Sequence, residues 1–179
     1  MACVEFAACA GDVISSPVFR NISFLFGVLV AIVSVLSARA TAKKKQSADL
    51  LSSTRSDEEL VTGLRCLSSL HNRADANIRQ YANDAQADTD EAKCIRYVLY
   101  HYEYVAVGLQ SGIYDETMLR RASHNTVVSL FTHARPFIEA LREHKNRPSL
   151  YQEMQCMAER WQELGQPKKL KKPFWAIWR

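Results

Sequence analysis

The chain has 179 residues, a formal net charge of +4, 47% hydrophobic residues and 23% charged residues. That length suits one domain of ordinary size with flanking segments. The small positive excess is too clustered to form the basic stripe of a nucleic-acid-binding face, so no nucleic-acid partner is expected.

Residues 1–20 carry only Glu5, Asp12 and Arg20 as charges and read as a short extracytoplasmic N-terminus. Asn21 to Ala38 carries no charge at all and reads NISFLFGVLVAIVSVLSA. A helix crosses a bilayer with roughly 20 apolar residues, and about 17 is the lower limit. A lone span must also be helical, because lipid offers its backbone no hydrogen-bond partners. Residues 21–38 therefore read as a transmembrane helix, with the lipid bilayer as a partner. A secretory signal is the rival reading, since Ala38-Arg39-Ala40 resembles a cleavage site. The long, net acidic leader is wrong for one. A buried core helix would show a polar stripe instead.

Arg39, Lys43, Lys44 and Lys45 follow the span. Positive charge marks the cytoplasmic side, which puts the N-terminus outside and the remainder inside the cytoplasmic (inner) membrane. Gly27, Ser23, Ser34 and Ser37 give the span a small-residue stripe suited to helix packing, hence a homo-oligomer.

Residues 39–55 read as a basic linker or a frayed continuation of the span. Residues 56–165 read as a helical domain. Ser56 and Glu59 form a capping box, and Leu60, Leu64, Leu67 and Leu70 recur at helical spacing to about His71. A short helix is expected around Ile78–Tyr81. Acids at 88, 90 and 91 open a helix running to about Gln110, with Gly112 as its C-terminal cap. Asp115 and Glu116 open another, which Pro136 is expected to kink or break. After a turn at 147–149, a last helix is expected from Leu150 to Leu164, closed by Gly165 and Pro167. Nothing alternates with period two for long, so the fold class is all-α: one N-terminal transmembrane helix followed by a small cytoplasmic helical bundle.

The helix over 88–110 concentrates Tyr97, Tyr100, His101, Tyr102, Glu103 and Tyr104. One reading is a polar pocket with Glu103 as acid or base and His101 as its partner. The favoured reading is a helix crossing in which rings pack and hydroxyls bond. Glu103 with Arg135 or Arg142 is a candidate semi-buried ion pair, more structural than catalytic. Histidines 71, 101, 124, 133 and 144 form neither HxH nor HExxH, so no metal site is expected. The five cysteines include no CxxC pair. Cys66, Cys94 and Cys156 read as small apolar core residues, while Cys3 and Cys9 lie outside and are free to pair. No phosphate-binding glycine loop or nucleophile elbow occurs, and no cofactor is expected.

Residues 166–179 form a basic-aromatic tail. Lys168, Lys169, Lys171 and Lys172 precede Trp175 and Trp178. Lysine near an anionic leaflet contributes about 1 kcal/mol each. With Lys43–Lys45, these residues are candidates for contact with the membrane surface. The alternative is that the tail aromatics fold onto the domain.

The run Glu91-Ala92-Lys93 into Tyr97 through Glu103, then Val105 through Gly108 and Ser111 through Glu116, resembles a bacterial family of membrane-anchored proteins of unknown function, family 4760. Arg135-Pro136-Phe137-Ile138, Ala140-Leu141-Arg142, Tyr151-Gln152-Glu153 and Ala158 through Trp161 extend the resemblance over roughly 57–161. It implies a helical cytoplasmic domain and supplies no catalytic residues. The expected function is a membrane-tethered helical interaction or regulatory module with an unknown protein partner. The alternatives are a membrane-perturbing effector or exclusion protein in bacterial or phage conflict, and an enzyme using Glu103 and His101.

Overall fold

The computed structural model describes residues 17–73 and 77–167, and over these it is all-α, with five α-helices and no strand. The chain divides into two compact units, one ending at Ala42 and one beginning at Lys43.

Helix α1 spans Pro17–Ser56. From Asn21 to Ala42 every residue is exposed, including Phe24, Leu29, Ile32 and Leu36. This is one N-terminal helix apolar and long enough to cross a membrane.

The second unit begins with the last turns of α1. Residues 39–55 are thus helical rather than a free linker, because their apolar side chains have somewhere to pack. Leu50 and Leu51 lie against the core, and Ser47 is fully buried. The Ser47 hydroxyl donates to the Lys43 carbonyl at 2.9 Å and accepts from the Asp115 N–H at 2.7 Å. Both lone polar demands of a buried hydroxyl are met.

Helix α2 (Glu58–Asn72) is capped by Asp57, whose carboxylate accepts from the Leu60 N–H at 2.9 Å. The cap falls one residue after the expected Ser56. Ser56 still has helical backbone in α1, and its hydroxyl bonds back to the Ser52 and Ser53 carbonyls. Two short 3₁₀ turns follow, Ile78–Ala82 and Asp84–Gln86.

Helix α3 (Asp90–Gln110) starts at a Thr89 cap. It ends in a Schellman motif: Gly112 N–H bonds Leu109 O, and Ile113 N–H bonds Gly108 O. Gly112 sits at φ 74°, where a side chain is costly. Helix α4 (Glu116–Lys145) runs through Pro136 without ending. Proline removes one backbone bond there, but Ala134, Phe137 and Ile138 on either side are fully buried. Packing holds the helix where local propensity would end it. Asn146, left-handed at φ 49°, closes it with a second Schellman pair from Asn146 N–H and Arg147 N–H.

Helix α5 (Gln152–Leu164) starts two residues later than expected. Tyr151 adopts a left-handed backbone, φ 55° and ψ 34°, so the preceding turn cannot continue into it. Helix α3 packs along α2 and against α5, while α4 packs on α5, α2 and the first 3₁₀ turn. One continuous core results, built around Leu60, Leu67, Ile95, Leu99, Phe137 and Trp161.

Candidate functional site

The tyrosine-rich stretch of α3 presents its side chains in several directions, set by the 100° step of the helix. Tyr97 donates to Asp57 Oδ2 at 2.8 Å. That bond and, above all, the Leu60 N–H hold the Asp57 carboxyl below its ordinary range. The same carboxylate pushes the Tyr97 hydroxyl up. His101 Nε2 lies 3.4 Å from Thr54 Oγ1. Burial lowers its pKa, and the Asp57 charge opposes that shift. Tyr97 and His101 therefore face the α1–α2 junction. Tyr102 lies in the core, where burial pushes its hydroxyl up to about 12.

Glu103 faces α5. Its Oε2 accepts from the Met154 N–H at 2.8 Å, satisfying a donor in the first turn of that helix. Tyr151 holds the N-cap position without capping through its side chain, so Glu103 does the work from another helix. A carboxylate at a helix N-terminus also meets the positive end of the macrodipole. The expected ion pairs of Glu103 do not form. Arg142 bonds the Leu150 carbonyl at 2.9 Å and Gln155 Oε1 at 2.8 Å, and Arg135 pairs with Glu139 at 2.8 Å. Nor do Glu103 and His101 converge, since each is held by a different element.

Tyr100 is exposed and meets Tyr151 edge-on, with ring centroids 5.7 Å apart. Tyr104 is 76% exposed. Lys43 is half-buried, and Lys44 and Lys45 are exposed. Lys168, Lys169, Lys171, Lys172, Trp175 and Trp178 lie outside the described residues, as do Cys3 and Cys9. Cys66 and Cys94 are half-buried, and burial, with a smaller contribution from Cys94, pushes the Cys66 thiol up to about 11. Cys156 is exposed rather than core. It occupies a helix face beside, not within, the stripe of Met154, Met157 and Trp161. His71 and His133 stack face to face at 3.9 Å.

Sequence reasoning missed a cleft of about 560 Å³ between Arg96 and Tyr100 of α3, the Asp84–Ala87 turn, the end of α4 and the Arg147–Tyr151 loop. Lys145 Nζ lies 2.6 Å from Asp84 Oδ1, and His144 Nε2 lies 3.1 Å from Oδ2. Those two bonds, Lys145 first, hold the Asp84 carboxyl down at about 2. The turn at 147–149 was visible in sequence, but its partners are 50 to 60 residues upstream.

Residues 21–161 match the model of a family described as "Domain of unknown function (DUF4760)". The chain belongs to this family. No curated protein and no solved structure matches it. The DUF4760 match takes in the apolar part of α1 as well as the bundle.

In this DUF4760 chain, Glu103 has a structural role that can be measured. Glu103→Ala is expected to lower stability by about 1–2 kcal/mol, the usual cost of losing a cap. Glu103→Gln keeps an acceptor and is expected to lose less. Urea unfolding of the two variants beside the parent decides this, and equal midpoints for all three would remove the cap argument.

Proposed function

We propose that this DUF4760 protein is a single-span membrane protein whose cytoplasmic helical bundle acts by binding a partner rather than by catalysis. The observation that carries the reading is the apolar run of α1, in which no side chain from Asn21 to Ala42 is covered by protein. Burying so many large apolar side chains contributes roughly 1.5–3 kcal/mol each, and lipid is the solvent that supplies that burial. The basic residues after Ala38 support a cytoplasmic bundle and an outside N-terminus. The commitment of Glu103 to a helix end and of His101 to Thr54 supports a binding role over an acid–base one.

The reading is tested by fractionating membranes that carry the full chain, a variant lacking residues 1–42, and one lacking 168–179. Each is washed with high salt and then detergent. The full chain and the tail deletion are expected to resist salt and yield to detergent, and the 1–42 deletion to be soluble. A full chain that salt releases would overturn the span.

A further inference from the structure

The cleft beside Tyr151 is a concave, cationic place on a domain whose acids otherwise outnumber its bases. Its volume, about 560 Å³, falls in the range of roughly 300–1,000 Å³ that small-molecule sites occupy. Arg96, Lys145 and Arg147 line it against one carboxylate, Asp84, leaving a net charge of +2 from three cations less one anion. Arg96 is aimed by a bond from Nη1 to the Ala87 carbonyl at 2.9 Å, which leaves its other N–H groups unspent. The Arg147 side chain makes no hydrogen bond or ion pair with any described residue.

Two aromatic rings line the same cleft. Tyr100 and Tyr151 meet edge-on, and Tyr151 is a bulky, buried residue held in the left-handed region. Such a backbone persists only when its surroundings over-determine it. Here Arg142 bonds the carbonyl just before it, and Glu103 accepts from the N–H of Met154, three residues after it. Strain fixed from both sides, in a cleft lined by cations, is the arrangement of a preorganised site. The end of α4 opposes an anion through its dipole, but its last carbonyls are bonded by Asn146 and Arg147 N–H groups.

We propose that this cleft binds a phosphomonoester, with Arg96 and Arg147 taking the phosphate oxygens and Tyr100 and Tyr151 flanking the organic part. Guanidinium forks match phosphate oxygens two at a time, and a dianion matches the +2 lining. The proposal extends the binding-module reading by naming a ligand class, yet it does not require the span. Failure here leaves membrane fractionation unaffected, and the reverse also holds.

The test is isothermal titration of the full chain in neutral-detergent micelles at low salt. The probes are inorganic phosphate, a nucleoside 5′-monophosphate, and micelles doped with phosphatidic acid or, as a control, phosphatidylcholine. Saturable binding of a phosphate probe is expected, weakened about tenfold or more by Arg147→Glu and by Arg96→Gln. Arg121→Glu, at an exposed position outside the cleft lining, is expected to bind as the parent does. Preference for the nucleotide identifies a soluble ester, and preference for phosphatidic acid identifies a lipid headgroup. Either supports the site. Arg147 is exposed and makes no side-chain bonds, so its variant keeps the test valid if Arg96→Gln unfolds. Absence of saturable binding at millimolar probe, or binding that a folded Arg147→Glu variant leaves unchanged, would overturn the proposal.

Discussion

Replacing Trp161 with alanine is expected to cost about 3–5 kcal/mol of stability, enough to unfold a domain of ordinary marginal stability. Trp161 is 1% exposed and is the largest fully buried side chain in the bundle. Its indole N–H donates to Glu116 Oε1 at 3.2 Å, and the other oxygen of that carboxylate holds Arg160 at 2.9 Å. Its backbone carbonyl is bonded to His124 Nε2 at 2.9 Å. The indole therefore closes α5 onto the start of α4. Alanine would leave a cavity between α3, α4 and α5 that the helices cannot collapse into, because other core residues hold them apart. Trp161→Phe fills much of that space and loses only the half-exposed bond to Glu116, so it is expected to cost less than half as much. Urea midpoints of the two variants in detergent give the comparison. Equal, small losses would mean that the indole is peripheral.

Gly63→Ala is expected to destabilise by about 1–3 kcal/mol, against the intuition that alanine favours helix. Helix propensity alone predicts a gain of about 1 kcal/mol. A Cβ at position 63, however, would stand 2.5 Å from Val98 Cγ2 and 3.1 Å from the Cys94 carbonyl oxygen. Val98 is fully buried and stiff about χ1 within a helix, and the Cys94 oxygen belongs to the backbone of α3. Neither can yield without moving the helix, so overpacking outweighs propensity. The double variant Gly63→Ala with Val98→Ala should recover part of the loss, since it removes the nearer obstacle. A stabilised Gly63→Ala would show that α2 and α3 do not approach this closely.

The helical fold was legible because each element carries its own local signal. Leu60, Leu67 and Leu70 keep helical spacing, acids open α3, and Gly112 and Gly165 stop helices by their backbone freedom. Signals failed where tertiary packing decides. Pro136 reads as a kink or a break, and of the two the break does not occur, because the buried residues beside it hold α4 together. Glu103 reads as half of an ion pair, yet the donor it meets is a backbone N–H, which no side-chain spacing announces. The cleft was invisible for a related reason: Arg96, Lys145 and Arg147 are scattered along the chain, and only the fold of the Tyr151 loop assembles them. The tyrosine cluster was half legible. Its rings do pack and its hydroxyls do bond, but toward several different neighbours.

The buried hydroxyl of Ser47 bears on how the bundle can be isolated for solution work. A fragment cut at the apparent domain start, near 56, would discard Ser47, Leu50, Leu51 and Thr54 together. The Asp115 N–H would lose its acceptor at the very start of α4, and apolar core would be opened to water. Such a fragment would aggregate for a reason unrelated to the greasy helix it was meant to remove. Starting at Lys43 keeps the carbonyl that Ser47 bonds and drops only residues of the first unit. The best cleavage point for a soluble bundle therefore lies inside a helix, thirteen residues before the domain start that the sequence suggests.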